Sequence, residues 1–487
     1  MIRPLQRDAS LTRIAERGEP WDIAVIGGGS TGMGIAVDAA SRGYSVVLLE
    51  QHDFGKGTSS RSTKLVHGGV RYLQQGNISL VMEALTERGR LRANAPHLVH
   101  DQEFVVPNYA WWEAPFYGIG MKVYDLLAGK YGFGPSKILS FEEVLERIPT
   151  LSQDGLRGGV KYHDGQFDDA RLLIDLASTA AQYDACVVNY ARVDSLAKDA
   201  DGFINGLTFR DEEGGASYTL SARSVINATG PFCDELRRAD NPEASPIIAP
   251  SQGVHIVLPR EFLPGDTAIM VPHTRDGRVM FAIPWHGHTL IGTTDTPIPA
   301  ATFEPDAKPE EIDLIIETAS DYLAKRPTRA DVLSVFTGIR PLVKAGEASS
   351  TAALSREHTI EISSSGLLTI AGGKWTTYRR MAEDAVDHAI VLGLLAERPC
   401  VTRDLRIHNP GSHDDDAGWF ARHEMARTVE DVLARRTRLL FLDVRAALDR
   451  APDVARELGR ELGRDEAWQK LQLAEFKKTA DHFRIPS

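Results

Sequence analysis

Cysteine is scarce in this chain, with three in 487 residues: Cys186, Cys233 and Cys400. They lie far apart and form no C-x-x-C pair, so we expect three buried thiols in a reducing compartment. We predict no metal site.

Basic residues are also in deficit, since the chain has 55 Lys and Arg against 67 Asp and Glu, which gives a net charge of −12. This balance argues against a nucleic-acid partner, but it leaves room for a local basic pocket that binds a small anion.

Long apolar runs are missing as well. The first 20 residues lack the apolar core of about 7–15 residues that defines a signal peptide, so none is predicted. The most apolar long window, residues 104–121, contains Glu113 and two prolines and is rich in aromatic side chains. We therefore predict no membrane-spanning helix there, while attachment to a membrane surface stays open. The length of the chain favours two or three domains.

The best-defined pattern lies near the N-terminus. Residues 21–27 (WDIAVIG) predict a buried strand, residues 28–43 have helical spacing, and residues 44–50 (YSVVLLE) predict a second strand. Strand, helix and strand in 30 residues make a βαβ unit, which implies a parallel sheet.

A glycine motif, Gly27-x-Gly29-x-x-Gly32, occupies the turn between the first strand and the helix. The first glycine allows a tight turn, the second lets backbone approach a pyrophosphate, and the third lets the helix pack on the strand. Glu50 ends the second strand, where its carboxylate would accept hydrogen bonds from a ribose diol. The sequence therefore predicts a dinucleotide site, and the motif alone leaves FAD and NAD as alternatives.

A series of motifs in fixed order along the chain resembles the FAD-dependent (respiratory) glycerol-3-phosphate dehydrogenases. They span residues 22 to about 450, and KLVHGGVRYL and AGGKWTTYR are the most specific to that family. The resemblance implies FAD as the cofactor. The motifs are VIGGGSTGMGIAVDAASRGYSVVLLE, TSSRSTKLVHGGVRYL, FDDARL, INATGP, QGVHIVLP, AIPWHGHTLIGTTD, TGIRPL, AGGKWTTYRRMAE and ARHEMARTVEDVLARRTRLLFLD.

The resemblance implies an α/β fold: a Rossmann-type FAD-binding domain like that of glutathione reductase and D-amino-acid oxidase, an interleaved substrate domain with a mixed or antiparallel sheet, and a short all-helical C-terminal domain. The helical domain looks shortened, because the segment around NPGSHDDDAG is shorter than the family's. The predicted boundaries are 20–103, 155–240 and 330–396 for the FAD-binding domain, 104–154 and 241–329 for the substrate (cap) domain, and 400–487 for the helical domain.

The implied reaction is the oxidation of sn-glycerol 3-phosphate to dihydroxyacetone phosphate, with hydride transfer from C2 to flavin N5. The phosphate needs guanidinium or ammonium donors in a shielded pocket. The C2 hydroxyl group needs a base, and a histidine has a suitable pKa. Reduced flavin needs positive charge near N1 and the C2 carbonyl.

Basic residues in the matching motifs are the candidates for phosphate binding. Arg340 and Lys374 are expected to contact the substrate and take part in catalysis, although a structural ion pair and a capping turn are the plain alternatives. The other predicted substrate-binding residues are Arg71, Tyr72, Arg356, Thr376 and Thr377.

Two histidines are candidates for the base. His255 lies inside an apolar strand, where a lone histidine is more often a satisfied core residue. His67 stands beside Gly68 and Gly69, which we interpret as clearance for the flavin ring, so His67 could contact the ring instead.

The cofactor candidates lie in the glycine motif, after Glu50, and at the ends of later strands. Ordinary turn chemistry is the alternative for each. They are Ile26, Gly27, Gly29, Ser30, Thr31, Gly32, Glu50, Gln51, Thr58, Ser59, Ser60, Lys64, Leu65, His67, Gly68, Gly69, Ala228, Thr229, Gly230, Asp295, Gly338 and Thr377.

The family's usual electron acceptor is quinone, reached from a membrane surface. Nine aromatic residues lie between Phe104 and Phe133, which could form a membrane contact or a lid over the site. The ARRTR run, residues 434–438, is either a lipid contact or a solvated helix face.

We expect a cytoplasmic protein, peripheral on the inner face of the cell membrane. An oxygen-using flavoprotein oxidase, acting on a glycerophosphate or an amine, and a non-catalytic flavin-binding redox protein are the alternatives. A homodimer is left open.

Overall fold

The computed structural model describes residues 5–69, 77–272, 274, 277–344, 357–411 and 415–486. Its strands, in chain order, are β1 Trp21–Ile26, β2 Val46–Leu49, β3 Leu65–Val66, β4 Val99–Asn108, β5 Lys137–Leu139, β6 Gly158–Phe167, β7 Cys186–Val188, β8 Ala191–Lys198, β9 Ile204–Asp211, β10 Ser217–Asn227, β11 Ile248–Pro259, β12 Ala268–Val271, β13 Met280–Trp285, β14 His288–Gly292, β15 Thr296–Pro297, β16 Ser334–Val343, β17 His358–Ile362 and β18 Leu367–Gly372.

Helices flank both sheets and dominate the C-terminal part. They are α1 Arg7–Glu16, α2 Ser30–Ser41, α3 Ile78–Asn94, α4 Glu113–Ala128, α5 Phe141–Arg147, α6 Asp169–Gln182, α7 Cys233–Asp240, α8 Pro309–Tyr322, α9 Tyr378–Leu392, α10 Ala417–Glu424, α11 Leu439–Leu442, α12 Val444–Glu461 and α13 Glu466–Asp481, with a π-helical segment at Asp431–Arg436.

The first sheet has the strand order β17-β18-β10-β1-β2-β7, and β18, β10, β1, β2 and β7 run parallel. All four residues of β2 are buried, as expected for a parallel strand covered on both faces. Helices α2, α6 and α9 pack on one face, whereas α1 and the β8–β9 hairpin cover the other. The predicted βαβ unit is confirmed as β1, α2 and β2.

The second sheet has the order β15-β11-β14-β13-β12-β4-β6-β3, with β16 beside β11 and β5 beside β6. Its described pairs are antiparallel except for β12 and β4. The helices from α10 onward pack on one face, and α5 and α8 pack on the other. The predicted fold class, an FAD-binding α/β fold with a second mixed sheet and a helical C-terminal part, is confirmed.

Three strands of the second sheet fall inside the ranges predicted for the FAD-binding domain. They are β3, β6 and β16, and β16 pairs with β11 along ten residues. Among the described strands the chain passes between the two sheets four times, as the predicted ranges do, but three of the four passages lie elsewhere than the predicted boundaries. The boundaries themselves stay a prediction.

Candidate active site

A cleft of about 530 Å³ lies where the carboxyl ends of β1, β2 and β10 meet strands β11 and β16 of the second sheet. Crevices at the carboxyl ends of parallel strands are the usual ligand sites of such folds. Two parts of its wall differ in chemistry. We call them the glycine-rich end, formed by residues 26–27, 29–31, 50–51 and 228–230, and the cationic end, formed by His67, His255, Arg340, Lys374 and Thr376.

The glycine-rich end is built so tightly that side chains cannot fit. Gly27 has φ +109°, and an added Cβ would lie 2.7 Å from the carbonyl oxygen of Ala228. A Cβ on Gly32 would lie 1.9 Å from the carbonyl oxygen of Gly27. These contacts agree with the roles predicted for the first and third glycines: a tight turn, and close packing of the helix on the strand.

Helix α2 points its N-terminus into this end of the cleft. Gly29 is its N-cap residue and gives no side-chain cap, so the first turn offers backbone N–H groups to an anion. One of them, the N–H of Ser30, donates to Ser59 Oγ at 2.9 Å. Residues 29–31 all line the cleft.

The carboxylate of Glu50 is fixed by backbone donors. Gly28 N–H donates to Oε2 at 2.6 Å, and His52 N–H donates to Oε1 at 2.8 Å. Burial raises the pKa of Glu50, and these two hydrogen bonds oppose the rise. Each oxygen keeps a lone pair for a diol in the cleft, as the sequence predicts.

The cationic end depends on strand register. His255 and Gly253 of β11 stand opposite Phe336 and Gly338 of β16, so alternate residues of both strands share a face with Arg340. The Arg340 guanidinium lies 3.3 Å from Asp295 Oδ1 and donates to Thr293 Oγ1 at 3.2 Å. A Cβ on Gly253 would lie 2.6 Å from Arg340 Nη2, so this glycine leaves the space that the guanidinium fills.

A second cation comes from the turn between β18 and α9. Lys374 precedes a 3-10 turn, Trp375–Thr377, and its side chain lines the cleft. Thr376 Oγ1 donates to the carbonyl of His67 at 3.5 Å, which joins this turn to the segment that carries the second histidine. Trp375 Nε1 donates to Ser59 O at 2.7 Å.

His255 is 3% exposed, and its ring stacks on Phe336 with centroids 4.8 Å apart. Burial, followed by the charges of Arg340 and Lys64, holds the pKa of His255 well below its usual value. The imidazole is therefore neutral near neutral pH and can accept a proton. Its Nε2 lies 2.9 Å from Thr63 Oγ1.

Most of the predicted site residues line the cleft. They are Ile26, Gly27, Gly29, Ser30, Thr31, Glu50, Gln51, Thr58, Ser59, Leu65, His67, Ala228, Thr229, Gly230, His255, Gly338, Arg340, Lys374 and Thr376. The predicted substrate-binding residues Arg71, Tyr72 and Arg356 lie outside the described residues.

Seven predicted residues lie behind the wall of the cleft. Gly32 supports the turn at Gly27, Asp295 pairs with Arg340, and Thr377 donates to the Lys374 carbonyl at 3.3 Å. Gly69 has φ +78°, which requires the freedom of a glycine. The other three are Ser60, Lys64 and Gly68.

Lys64 has a structural partner instead of a place in the wall. Its ammonium group lies 2.8 Å from both Asp169 oxygens, donates to Ser60 O at 2.6 Å, and sits over the ring of Trp285. Burial lowers the pKa of Lys64, and Asp169 opposes the change. Lys64 therefore acts on the cleft through its charge and not by direct contact, which corrects the predicted cofactor contact.

Gly68 also has a different role from the predicted one. A Cβ there would lie 2.3 Å from Tyr124 Oη and 2.4 Å from Leu85 Cδ2, on the side of α3 and α4. Its N–H points to Asp164 Oδ1 at 3.3 Å. The glycine is needed for packing between helices, so its interpretation as clearance for a flavin ring is wrong.

The π-helical segment of the C-terminal part holds the loop that follows Glu50. Arg435 lies 2.5 Å from Asp53, Arg436 also pairs with Asp53, and Lys56 lies 2.6 Å from Glu430. Both arginines are 2% exposed. Neither prediction for the ARRTR run was right, because these arginines face buried carboxylates and neither lipid nor solvent.

Sequence reasoning missed several residues in the wall, notably Thr63, Trp375, Arg61, Phe232 and Phe303. Phe232 and Phe303 stack with centroids 4.2 Å apart, although 71 positions separate them. Thr63 and His255 are 192 positions apart. Nothing in a single sequence pairs residues at such distances.

The chain matches two family descriptions. Residues 22–379 match the FAD dependent oxidoreductases, and residues 400–469 match the C-terminal domain of alpha-glycerophosphate oxidase. The probable mitochondrial glycerol-3-phosphate dehydrogenase of Caenorhabditis elegans is 40% identical, over 98% of this chain and 75% of its own length. The mitochondrial glycerol-3-phosphate dehydrogenase of Arabidopsis thaliana is 39% identical over 99% and 89%.

Two solved structures have similar folds. The glycerol-3-phosphate dehydrogenase of Bacillus halodurans, complexed with FAD, gives a TM-score of 0.81 at 29% identity and covers 100% of this chain and 99% of its own. The L-alpha-glycerophosphate oxidase of Mycoplasma pneumoniae, with FAD bound, gives 0.61 at 17% identity, over 80% and 100%. The second likeness concerns the fold alone.

Proposed function

Because the chain belongs to the FAD-dependent glycerol-3-phosphate dehydrogenase family, we propose that it oxidises sn-glycerol 3-phosphate to dihydroxyacetone phosphate. One observation carries the proposal: a single cleft joins a dinucleotide-binding turn to two cationic side chains and a buried, neutral histidine. These are the groups that a cofactor, a phosphate and an alcohol need.

The residues at the glycine-rich end fit FAD. The turn at Gly27 and the N-terminus of α2 offer backbone donors to a pyrophosphate, and a Cβ on Gly29 would reach Ser59 Oγ at 3.2 Å. The fixed carboxylate of Glu50 suits a ribose diol and would repel a 2′-phosphate. Bound FAD supplies the hydride acceptor, and the chain positions the substrate beside it.

At the cationic end, Arg340 and Lys374 bind the phosphate. Arg340 is held by Asp295 and Thr293, so little side-chain freedom is lost when its guanidinium meets a phosphate. Lys374 adds a second donor from the turn between β18 and α9. The basic residues predicted at Arg71 and Arg356 would add to this charge.

His255 is the better candidate for the base. Its ring nitrogen Nε2 is held at the wall of the cleft, and its depressed pKa keeps it unprotonated before substrate binds. The dianionic phosphate would offset the charge of Arg340 and move that pKa upward as the proton arrives. We assign His67, whose carbonyl accepts from Thr376, to the cofactor side of the site.

Anaerobic titration tests the function directly. Purified yellow protein is mixed with sn-glycerol 3-phosphate without oxygen, and the flavin absorbance is followed in a stopped-flow instrument. We expect the flavin band to bleach and dihydroxyacetone phosphate to form in equal amount. A flavin that bleaches with amines but with no polyol phosphate, or with neither, would contradict the proposal.

We propose that electrons leave to a membrane quinone and that helix α4 is the contact with the lipid. Its inner face packs through Tyr117, Met121 and Tyr124, yet its outer face is also largely apolar, with Lys122 as an exposed cation on it. A surface helix normally has a polar outer face, so a largely apolar one with a basic residue suits the surface of a membrane. The exposed fractions are 78% for Trp111, 45% for Trp112, 52% for Phe116, 68% for Ile119, 40% for Val123 and 80% for Leu126.

Two further facts bear on this surface. No residue between Phe104 and Phe133 lines the cleft, so the helix is not placed as a lid over it. Among the described residues, no helix is both long and apolar enough to cross a membrane. Attachment to one leaflet, on the cytoplasmic face of the cell membrane, is the arrangement that we propose.

Vesicle flotation tests the surface. Changing Ile119 and Leu126 to Glu removes two apolar contacts, each worth about 2 kcal/mol when buried, so binding to phosphatidylethanolamine and phosphatidylglycerol vesicles should fall at least about tenfold. Val391 and Leu394, 73% and 88% exposed on the end of α9 and the turn after it, serve as matched controls. If the control double variant loses vesicle binding as much as the α4 double variant does, the α4 surface is not a specific membrane contact. That result, or fast turnover with oxygen and release of hydrogen peroxide, would favour a soluble oxidase.

A further inference from the structure

The ring of His255 has one hydrogen-bond partner among the described residues, the hydroxyl group of Thr63. Thr63 Oγ1 lies 2.9 Å from Nε2. The other ring nitrogen, Nδ1, is enclosed and has no hydrogen-bond partner in the described part of the chain. One face of the ring stacks on Phe336, and a Cβ on Gly292 would lie 2.2 Å from Cδ2. Nε2 is therefore the nitrogen through which His255 exchanges a proton.

Thr63 lines the cleft beside that nitrogen and is the more exposed of the two groups. His255 is 3% exposed, whereas Thr63 is half-buried and lines the same part of the wall. A hydroxyl group both donates and accepts, so it can take a proton on its oxygen while it gives its own hydrogen away. An alcohol in the cleft would meet this hydroxyl before it met the imidazole.

We propose that Thr63 relays the proton of the substrate hydroxyl to His255, an inference that rests on the function proposed above. The substrate O–H bond breaks, and its proton joins Thr63 Oγ1. The Thr63 hydrogen moves at the same time to His255 Nε2, which becomes cationic. The electron pair of the C2–H bond leaves with its hydrogen as hydride to FAD, so the substrate loses one proton and one hydride and becomes a ketone.

The relay also fixes the tautomer of the resting histidine. Nε2 must carry a lone pair to accept the Thr63 hydrogen, so the proton of neutral His255 sits on Nδ1. The stacking on Phe336 and the close approach of Gly292 prevent the ring from turning to exchange the two nitrogens. Thr63 is thus a catalytic residue that touches the substrate, with His255 as the final base.

Flavin reduction in Thr63 variants tests the relay. General base catalysis is worth about 10²–10⁴ in rate, so Thr63→Val should lower the rate constant of anaerobic flavin reduction by that factor. Thr63→Ser should retain most of the rate, because it keeps the hydroxyl group. The Kd for FAD should stay unchanged, and the Kd for sn-glycerol 3-phosphate should rise by no more than about tenfold, since one hydrogen bond is lost and neither Arg340 nor Lys374 is altered.

The double variant separates a relay from two independent effects. His255→Asn should lower the rate as much as Thr63→Val, and the two changes together should lower it no further, because groups that act as a unit are not additive. If the rate loss of the double variant equals the product of the two single-variant losses, the proposal is overturned. Thr318→Val is a matched control, since Thr318 Oγ1 donates to Leu314 O at 2.7 Å on α8, outside the cleft wall.

A second readout does not depend on turnover. In the apoprotein labelled with ¹⁵N-histidine, His255→Asn identifies the His255 signal. Thr63→Val should raise the pKa of His255, because the donor to the neutral ring is lost, and Thr63→Ser should restore it. If wild-type flavin bleaches and Thr63→Val bleaches equally fast, the relay is wrong and the function stands. If wild-type flavin does not bleach, the proposed function fails first, and an unchanged pKa in Thr63→Val would overturn the Thr63 contact as well.

Discussion

The glycine-rich end of the cleft offers its ligand mainly backbone groups, whereas the cationic end offers side chains. The first end takes residues 26–27 and 29–31 from one turn and needs only Glu50 as a charged partner. The second takes His255, Arg340 and Lys374 from three strands or turns that are far apart in the chain. One end is therefore a local motif, and the other is a product of tertiary structure.

This difference predicts how each end fails. Substitutions other than to proline leave the backbone donors in place, so the glycine-rich end is vulnerable mainly to added bulk. Side-chain donors can be deleted without disturbing the chain path, so the cationic end is vulnerable to truncation. If the comparison holds, variants of the first end lose the cofactor, and variants of the second keep it but lose catalysis.

Gly32→Val should have the largest effect. A Cβ at this position would lie 1.9 Å from the Gly27 carbonyl oxygen, so α2 must move away from the turn that it supports. We expect purified protein without flavin absorbance and no measurable FAD binding by fluorescence. Gly18→Ala is the control, since a Cβ there meets nothing within 4 Å. A Gly32→Val protein that keeps its flavin absorbance would contradict the prediction for the glycine-rich end.

Arg340→Met should leave the yellow colour and remove most of the activity. Loss of one partner of a charge pair costs about 2–5 kcal/mol, so we expect kcat/KM for sn-glycerol 3-phosphate to fall about 10²-fold or more. The Kd for FAD should not change. Arg340→Lys should recover only part of the loss, because an ammonium group cannot form the planar paired contact. A weakened Kd for FAD in Arg340→Met would show that the two ends are not separable.

The same contrast explains what could be predicted from the sequence. Gly27, Gly29, Gly32 and Glu50 were found from spacing alone, because the βαβ unit is local and its chemistry follows from backbone geometry. Arg340 and Lys374 were found only through family resemblance, since no pattern brings β16 next to the turn before α9. Thr63 was missed because its contact with His255, 192 positions away, is a product of tertiary structure.

Two errors have the same physical origin. Gly68 and the arginines of the ARRTR run were read from local composition, as clearance for a ring and as a charged surface. The structure surrounds Gly68 with Tyr124 and Leu85, and it buries Arg435 and Arg436 against Asp53. Partners outside the local motif decide the role of such residues, so local patterns cannot predict it: Asp53 is more than 380 positions from either arginine, and Tyr124 is 56 positions from Gly68.

Glu50→Gln should produce an intermediate effect at the glycine-rich end. The two carboxylate oxygens accept from Gly28 N–H and His52 N–H, whereas an amide has one oxygen and would point an NH₂ group at the other donor. Hydrogen bonds to charged groups are worth about 1.5–3 kcal/mol, so the Kd for FAD should rise about 10–100-fold. Fluorescence titration of the apoprotein measures it. Glu19→Gln, on the exposed loop before β1, should change nothing.

The pH profile should show the smallest effect and probes the cationic end. Burial, then Arg340 and Lys64, holds the pKa of His255 well below 6.5, so the neutral ring persists as the pH falls. The value of kcat/KM, which reports the protein without bound substrate, should therefore stay level from pH 8 to below 6.5 and decline only as the pH passes through the lowered pKa. Arg340→Met removes one of the charges that lower the pKa of His255, so its acid limb should move to higher pH.

Acid unfolding is measured in parallel as a control. The unfolded chain binds a proton at His255 more readily than the folded chain does, so the free energy of unfolding also declines below pH 6.5. An acid limb at the same pH in both proteins would mean that Arg340 does not act on His255 electrostatically, and the two would then have to be treated as independent parts of the same wall.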